Sequence, residues 1–241
     1  TAELQSTTEG RTMVLTISNP EHRNALGPEI YAAGVEALGS AESNPEIGSV
    51  IVTGQGPVFS AGGNLQRLQA NRQLPPDHQA RSIDGLHNWI ETIRTFPKPV
   101  VAAVEGAAAG AGFSLALACD FIVAARNAAF VMAYVNIALL ATELLLCGDR
   151  ISAERLAQLG VVNVISDAGN ALTDALALCE RLNKRAPNAL ASIKELLSEA
   201  DSSTLSAHLN RERDHFVRNL HHPNAGIGIA SFLSKTPPSY R

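Results

Sequence analysis

Two stretches of the chain join a buried-strand pattern to a turn of small residues. Val50–Gly54 (VIVTG) leads into Phe59–Asn64 (FSAGGN), and Val100–Val104 (VVAAV) leads into Glu105–Gly112 (EGAAAGAG). Small residues let a ligand approach the backbone closely. The second turn opens a helix, whose first N–H groups lack partners and lie at its positive end. Two such turns side by side would aim two N–H donors at one carbonyl oxygen, which is an oxyanion hole. Tight turns with no ligand give the same pattern, so the residues alone leave both readings open.

Other chemistry-bearing residues have bland readings beside the functional ones. Gly112-Phe-Ser114-Leu-Ala116 nearly matches a nucleophile elbow, with Asp149, Asp167, His208, His215, His221 and His222 downstream. A serine hydrolase is the rival chemistry, but Ala116 replaces the second glycine. Tyr134 reads as an acyl-pocket donor or as packing with its hydroxyl satisfied. Glu143 reads as a displaced base or a helix-start charge. Asp120 reads as structural, Trp89 as core, and His221-His222 as a solvated pair without a third metal ligand. Cys119, Cys147 and Cys179 are odd in number and widely spaced, which suits buried thiols in a reducing cytoplasm.

Elements must position these residues. Met13–Ile17, Ser49–Thr53, Val100–Val104, Phe121–Ala124, Ala129–Met132 and Val161–Ile165 read as strands. Helical spacing runs over Pro28–Ala41, Ser82–Thr95 and Ala153–Gly160, and an apolar helix ends at Cys119. Later stripes fall at Leu172–Leu182, Leu190–Leu197 and Leu205–Leu220. This predicts an α/β core over residues 1–166 and a helical portion over 167–241. The chain has 241 residues, 46% hydrophobic and 17% charged, enough for a sizeable core. A net charge of −4 and 5% aromatics argue against a nucleic-acid partner. The longest apolar run, Ala107–Cys119, is shorter than the ~20 residues that span a bilayer, and no signal peptide shows in the polar Thr1–Arg11.

NPEHRNAL (19–26), FSAGGNL (59–65), PKPVVAAVEGAAAGAGFSLALACDFIVA (97–124) and AFVMAYVNIAL (129–139), with FLSKTPPSY (232–240), resemble the crotonase (enoyl-CoA hydratase/isomerase) superfamily in the right order. The 129–139 segment is closest to the phenylacetate-pathway type of enoyl-CoA isomerase. The resemblance implies a spiral of ββα repeats, a helical C-terminal trimerisation region and a homotrimer or hexamer. It implies an acyl-CoA thioester substrate, with coenzyme A as part of the substrate, no other cofactor and no metal. The donors would be the N–H groups of Gly63 and Ala111. Arg23, Ala25, Ala61 and Leu65 would line the CoA groove, and Phe232 and Lys235 would reach CoA, in one arrangement from a neighbouring subunit.

The resemblance also has gaps. The two glutamates of a hydratase fall at Ser114 and Tyr134, so both carboxylates are missing and water addition lacks its acid/base. Isomerisation needs one carboxylate and is favoured over hydration; a non-catalytic acyl-CoA binding protein is the third reading. Leu139 runs directly into Leu140-Ala-Thr-Glu143, where relatives continue with a Pro/Gly-rich loop. A stretch carrying the carboxylate is therefore expected to be missing from this sequence. Nothing in the chain gives the acyl group, which the segment Arg67–Ile83 and that loop would set.

Overall fold

The computed structural model describes residues 2–132 and 149–240. Tyr134, Leu139, Glu143 and Cys147 lie outside the described residues. The main sheet has six strands in the order β1-β2-β3-β4-β6-β9. Strands β2 (Thr12–Ser18), β3 (Ser49–Gly54), β4 (Val100–Val104), β6 (Phe121–Ala125) and β9 (Val164–Ser166) run parallel. Every residue of β3 and β4 is buried, which is why both read as continuous apolar runs. Strand β1 (Glu3–Glu9) adds antiparallel at the edge and is almost wholly exposed. Its sequence, ELQSTTE, has one apolar residue, Leu4, which packs on the core, and pairing with β2 does most to make it a strand.

A second, smaller sheet orders β5 (Ala107–Ala109), β7 (Ala129–Val131) and β8 (Arg150–Ser152). Two isolated bridges, Ser60 to Ala108 and Leu26 to Gly63, prolong this ladder beyond β5. Each unit therefore climbs one sheet strand, turns, makes a short rung on the ladder and enters a helix. Strand β2 leads through Leu26 to α1 (Pro28–Ser43); β3 leads through Ser60–Gly63 to α2 (Leu65–Asn71) and α3 (Pro76–Thr95). Strand β4 leads through β5 to α4 (Ala111–Ala118), and β6 leads into β7. This is the spiral of ββα units expected from the sequence. It corrects one reading: Ala107–Ala109, taken as part of a turn, is a rung.

The sheet is covered on both faces. Leu15, Ile17, Val50, Val52, Val100, Ala102, Val104, Ile122 and Ala124 face one core with Trp89, Phe59, Phe113 and α4. Val14, Ile51, Val101, Ala103 and Val123 face Ala175 and Cys179 of α6 (Ala171–Asn183), which follows α5 (Ala153–Gln158). Trp89 is fully buried, as expected, and occupies the space that a Cβ on Gly34 would need. Burial pushes both described thiols up, that of Cys179 to about 11.

The last helices are α7 (Pro187–Glu199), α8 (Leu205–Leu220) and α9 (Pro223–Ser234). Lys194 ties α7 to the sheet by donating to Asp120 Oδ2 at 2.6 Å and to the Lys98 carbonyl at 3.1 Å. Asp120 also accepts from the Val100 N–H at the start of β4. Between these helices lies a polar chain: Asn224 donates to Asn188, Asn188 to Asn219, and Asn219 to Ser192. Their outer faces expose Ile193, Leu197, Leu205, Leu209, Phe216 and Leu233. No helix among the described residues is long and apolar enough to cross a membrane.

Candidate functional site

The two sequence-flagged turns lie side by side on adjacent rungs. The Phe59 N–H donates to the Glu105 carbonyl at 2.7 Å, Ser60 N–H to the Ala107 carbonyl, and Ala109 N–H to the Ser60 carbonyl at 2.9 Å. Close approach makes glycine obligatory at several points. Gly62 has φ +85, and a Cβ there would lie 2.5 Å from the Ala109 carbonyl oxygen and 3.3 Å from the Ala111 nitrogen. Gly112 faces Ser60, whose Cβ would sit 2.7 Å from an added one.

Side chains clamp the first turn. Asn24, 1% exposed and at φ 57, donates through Nδ2 to the carbonyls of Gln55 (2.9 Å) and Val58 (2.7 Å). Its Oδ1 accepts the Asn19 N–H. Asparagine tolerates the left-handed region that this position needs. Ser60 Oγ donates to the Asn24 carbonyl at 2.7 Å and accepts the Gly62 N–H at 3.1 Å. Asn64 Oδ1 then caps α2 by accepting the Arg67 N–H.

The second turn is held by main chain and core. Gly110, at φ +49, donates its N–H to the Val131 carbonyl. Ala111 follows as the first residue of α4, and every residue of α4 but Leu117 is buried. A helix apolar all round belongs inside a core. Neither the Gly63 N–H nor the Ala111 N–H has a hydrogen-bond partner among the described residues. Ala111 is 1% exposed and Gly63 half-buried. A buried N–H is costly to leave unpaired, and these two donors stand on adjacent rungs.

The remaining predicted residues separate. Ser114 lies one helical turn past Gly110, is 8% exposed and points its Oγ back to the Gly110 carbonyl at 3.3 Å. Of the later histidines, His215 contacts Arg218 and Glu195, and His222 caps α9. No described histidine is hydrogen-bonded to Ser114, so the nucleophile-elbow reading fails on geometry. Ala25, Leu26 and Asn64 line a cleft of about 380 Å³ with His22 and Arg67. Arg67 reaches across it to the Leu26 carbonyl. Ala61 is tied to this edge by donating its N–H to the Arg23 carbonyl. Arg23 and Leu65 are exposed beside it. Phe232, 85% exposed, and Lys235 sit at the end of α9, and the structure does not bring them to the turns. No group of three His, Cys, Asp or Glu side chains among the described residues could hold a metal.

Sequence reasoning missed Asn24 and Ser60 as the clamp. Both stand inside motifs already quoted, and the one local signal was an asparagine directly before a turn into the rung.

This arrangement has counterparts. A family model described as enoyl-CoA hydratase/isomerase matches residues 7–141 and 138–241. A Thermus thermophilus protein, an enoyl-CoA hydratase by name, is 35% identical over an alignment of 254 residues, covering 96% of this chain and 98% of its own. The 1,2-epoxyphenylacetyl-CoA isomerase of Escherichia coli is 30% identical, covering 95% of this chain and 94% of its own. The crystal structure of an enoyl-CoA hydratase from Polaromonas sp. JS666 is 64% identical with a TM-score of 0.97, over 99% of this chain and 100% of that one. With both turns, their rungs and the surrounding spiral inside the matched span, the chain belongs to the enoyl-CoA hydratase/isomerase family, the crotonase superfamily.

Proposed function

We propose that this protein binds an enoyl-CoA and stabilises its thioester enolate between the N–H groups of Gly63 and Ala111. The observation that carries the reading is the pair of unpartnered donors on adjacent rungs. A donor of this kind is worth about 2.7–4 kcal/mol in comparable sites, enough to acidify the α-carbon. The reaction we assign is double-bond isomerisation. A base takes the α-proton of a 3-enoyl thioester, the enolate oxygen sits between the donors, and the proton returns at the γ-carbon to give the 2-enoyl thioester. One carboxylate can carry that proton. Ser114, at a position where a hydratase places a glutamate, offers a hydroxyl already turned to its own helix. The Escherichia coli isomerase relative favours this branch.

The carboxylate is assigned to a stretch absent from this sequence after Leu139. Two observations support this. The family model matches in two segments that meet at 138–141, and the Thermus thermophilus alignment spans more positions than the 241 residues of the chain. Peptide mapping of the expressed protein tests it: a peptide with added residues between Leu139 and Leu140 is expected, and one in which the two are contiguous would sink it. The cleft beside Ala25 and Asn64 is the entry we assign to CoA, with Arg23, Ala61 and Leu65 at its edge. We assign the exposed apolar faces of α7–α9 to a homotrimer or a hexamer, in which Phe232 and Lys235 of one copy serve another's CoA. Light scattering should return a mass three or six times that of the chain.

Hydration is the second reading, favoured by the name of the Polaromonas relative. Incubation in D₂O with crotonyl-CoA and with a 3-enoyl-CoA separates the two. Near-UV absorbance of the conjugated thioester and product mass are the readouts. Isomerisation with deuterium uptake and no added water is expected. Addition of water to crotonyl-CoA would overturn the isomerase assignment, and binding without α-proton exchange would make the protein a non-catalytic acyl-CoA carrier.

A further inference from the structure

Glu105 is the first residue of the second turn, and its carboxylate is bonded away from the donors. Oε1 accepts the Ala171 N–H at 2.9 Å and Oε2 the Gly169 N–H at 3.2 Å. Both groups sit at the start of α6, more than 60 residues along the chain. The residue placed to cap α6 locally, Asn170, makes no side-chain cap bond. The cap is supplied from across the fold, with a full negative charge where the helix end is positive. Gly169 at φ +86 turns its N–H into this arrangement.

The same residue holds the two turns together through its backbone. The Glu105 carbonyl accepts the Phe59 N–H of the first turn, and the next carbonyl, of Gly106, accepts the Ala129 N–H of β7. Gly106 itself packs so closely on Pro57 that a Cβ would lie 2.1 Å from its carbonyl oxygen. Residues 105–106 thus start the second donor turn and are bonded to the first. Helix α6 is not mobile ballast on this anchor, because Ala175 and Cys179 pack it against Ile51, Val101 and Val123 of the sheet.

We propose that Glu105 is a positioning residue: by fastening the end of β4 to the start of α6, it fixes the angle at which the second turn presents the Ala111 N–H towards that of Gly63. It is not the proton carrier, since both its oxygens are occupied by backbone donors. The proposal rests on the oxyanion reading above. Glu105 is half-buried beside an open depression lined by Thr16, Thr53, Gln55 and Asn127. Truncating it leaves no sealed cavity, so Glu105→Ala should fold.

Acetoacetyl-CoA is the probe, because its enolate absorbs in the near ultraviolet where the keto form does not. The full-length wild type, Glu105→Ala and Glu105→Gln are compared for bound enolate fraction, for kcat and KM on the 3-enoyl-CoA, and for melting temperature. Misplacing a donor without deleting it should lower kcat and the bound enolate-to-keto ratio about tenfold in Glu105→Ala, with KM changed less than about twofold. Glu105→Gln keeps one acceptor oxygen and should fall between. A wild type that forms no bound enolate would overturn the oxyanion reading and this proposal with it. A wild type that forms enolate, with Glu105→Ala forming as much per folded molecule, would overturn the positioning role alone. The same holds if kcat falls only in step with the folded fraction. If Glu105→Ala proves insoluble, Glu105→Gln decides: wild-type enolate and kcat would refute the role.

Discussion

The two donor turns occupy equivalent places on neighbouring rungs and are held by different means. The turn bearing Gly63 is a loop clamped by side chains: Asn24 grips the Gln55 and Val58 carbonyls, and Ser60 Oγ grips Asn24 in return. The turn bearing Ala111 is held by main chain and burial: a glycine bonded to Val131, then a helix set in the core. One donor is therefore aimed by a few hydrogen bonds that can be cut singly. The other is aimed by the fold, with Glu105 fastening its root to the start of α6. Damage to the first turn should separate activity from stability, and damage within residues 110–112 of the second should cost both; at the second turn only its root, Glu105, should separate them.

The most damaging test removes the first donor outright. Gly63→Pro deletes the N–H, and kcat on a 3-enoyl-CoA is expected to fall about 10²–10³-fold with CoA binding partly kept. Steady-state kinetics beside a CoA-binding titration reads both. Unchanged turnover in a folded variant would take Gly63 out of the mechanism. Next in size is the clamp. Asn24→Asp turns two donors into a buried carboxylate facing two carbonyls, which should cost about 2–4 kcal/mol of stability by denaturant unfolding. A loss below about 1 kcal/mol would mean that the first turn does not depend on Asn24.

A smaller effect tests the contact between the turns. Gly112→Ala pushes a methyl group against Ser60, which is fully buried and pinned by its neighbours. Overpacking of this kind costs about 1–3 kcal/mol, offset in part by the better helix propensity of alanine. Both the melting temperature and kcat should drop. A fall in stability with kcat intact would show that the turns can part without moving the donors.

Much of this arrangement was legible in the sequence, and the exceptions have physical causes. Strands β3 and β4 announced themselves because both of their faces are covered, so each is built on a continuous apolar run, Val50–Val52 and Val100–Val104. The turns announced themselves by glycines that a rung-to-rung contact makes necessary. Strand β1 left no trace because an edge strand that packs only Leu4 on the core needs no apolar alternation. Strand β5 is three alanines of poor β-propensity, and pairing with β7 overrides that preference. Helix α9 contains two glycines, and is set by Pro223 at its start and by His222 Nδ1 accepting the Asn224 N–H. The clamp of Asn24 on Val58 and the hold of Glu105 on α6 join residues 34 and more than 60 positions apart. Periodicity reads a few turns of chain, so bonds at that distance leave no local mark.

The mildest change sharpens the contrast most. Ala111→Gly retains the N–H and removes one buried methyl from the first position of α4. If the core and the Gly110–Val131 bond set this donor, the methyl contributes packing and nothing to aim. The expected cost is about 1 kcal/mol of stability, from lost burial and the added freedom of glycine. Turnover should stay within about threefold of wild type, which corresponds to less than about 1 kcal/mol of lost transition-state stabilisation. Kinetics at matched folded fraction isolates the aim from the packing. A tenfold or greater loss there would mean that the Ala111 methyl itself sets the donor, beyond what the core and Glu105 supply. Packing at that one position, and not the core as a whole, would then fix the second donor.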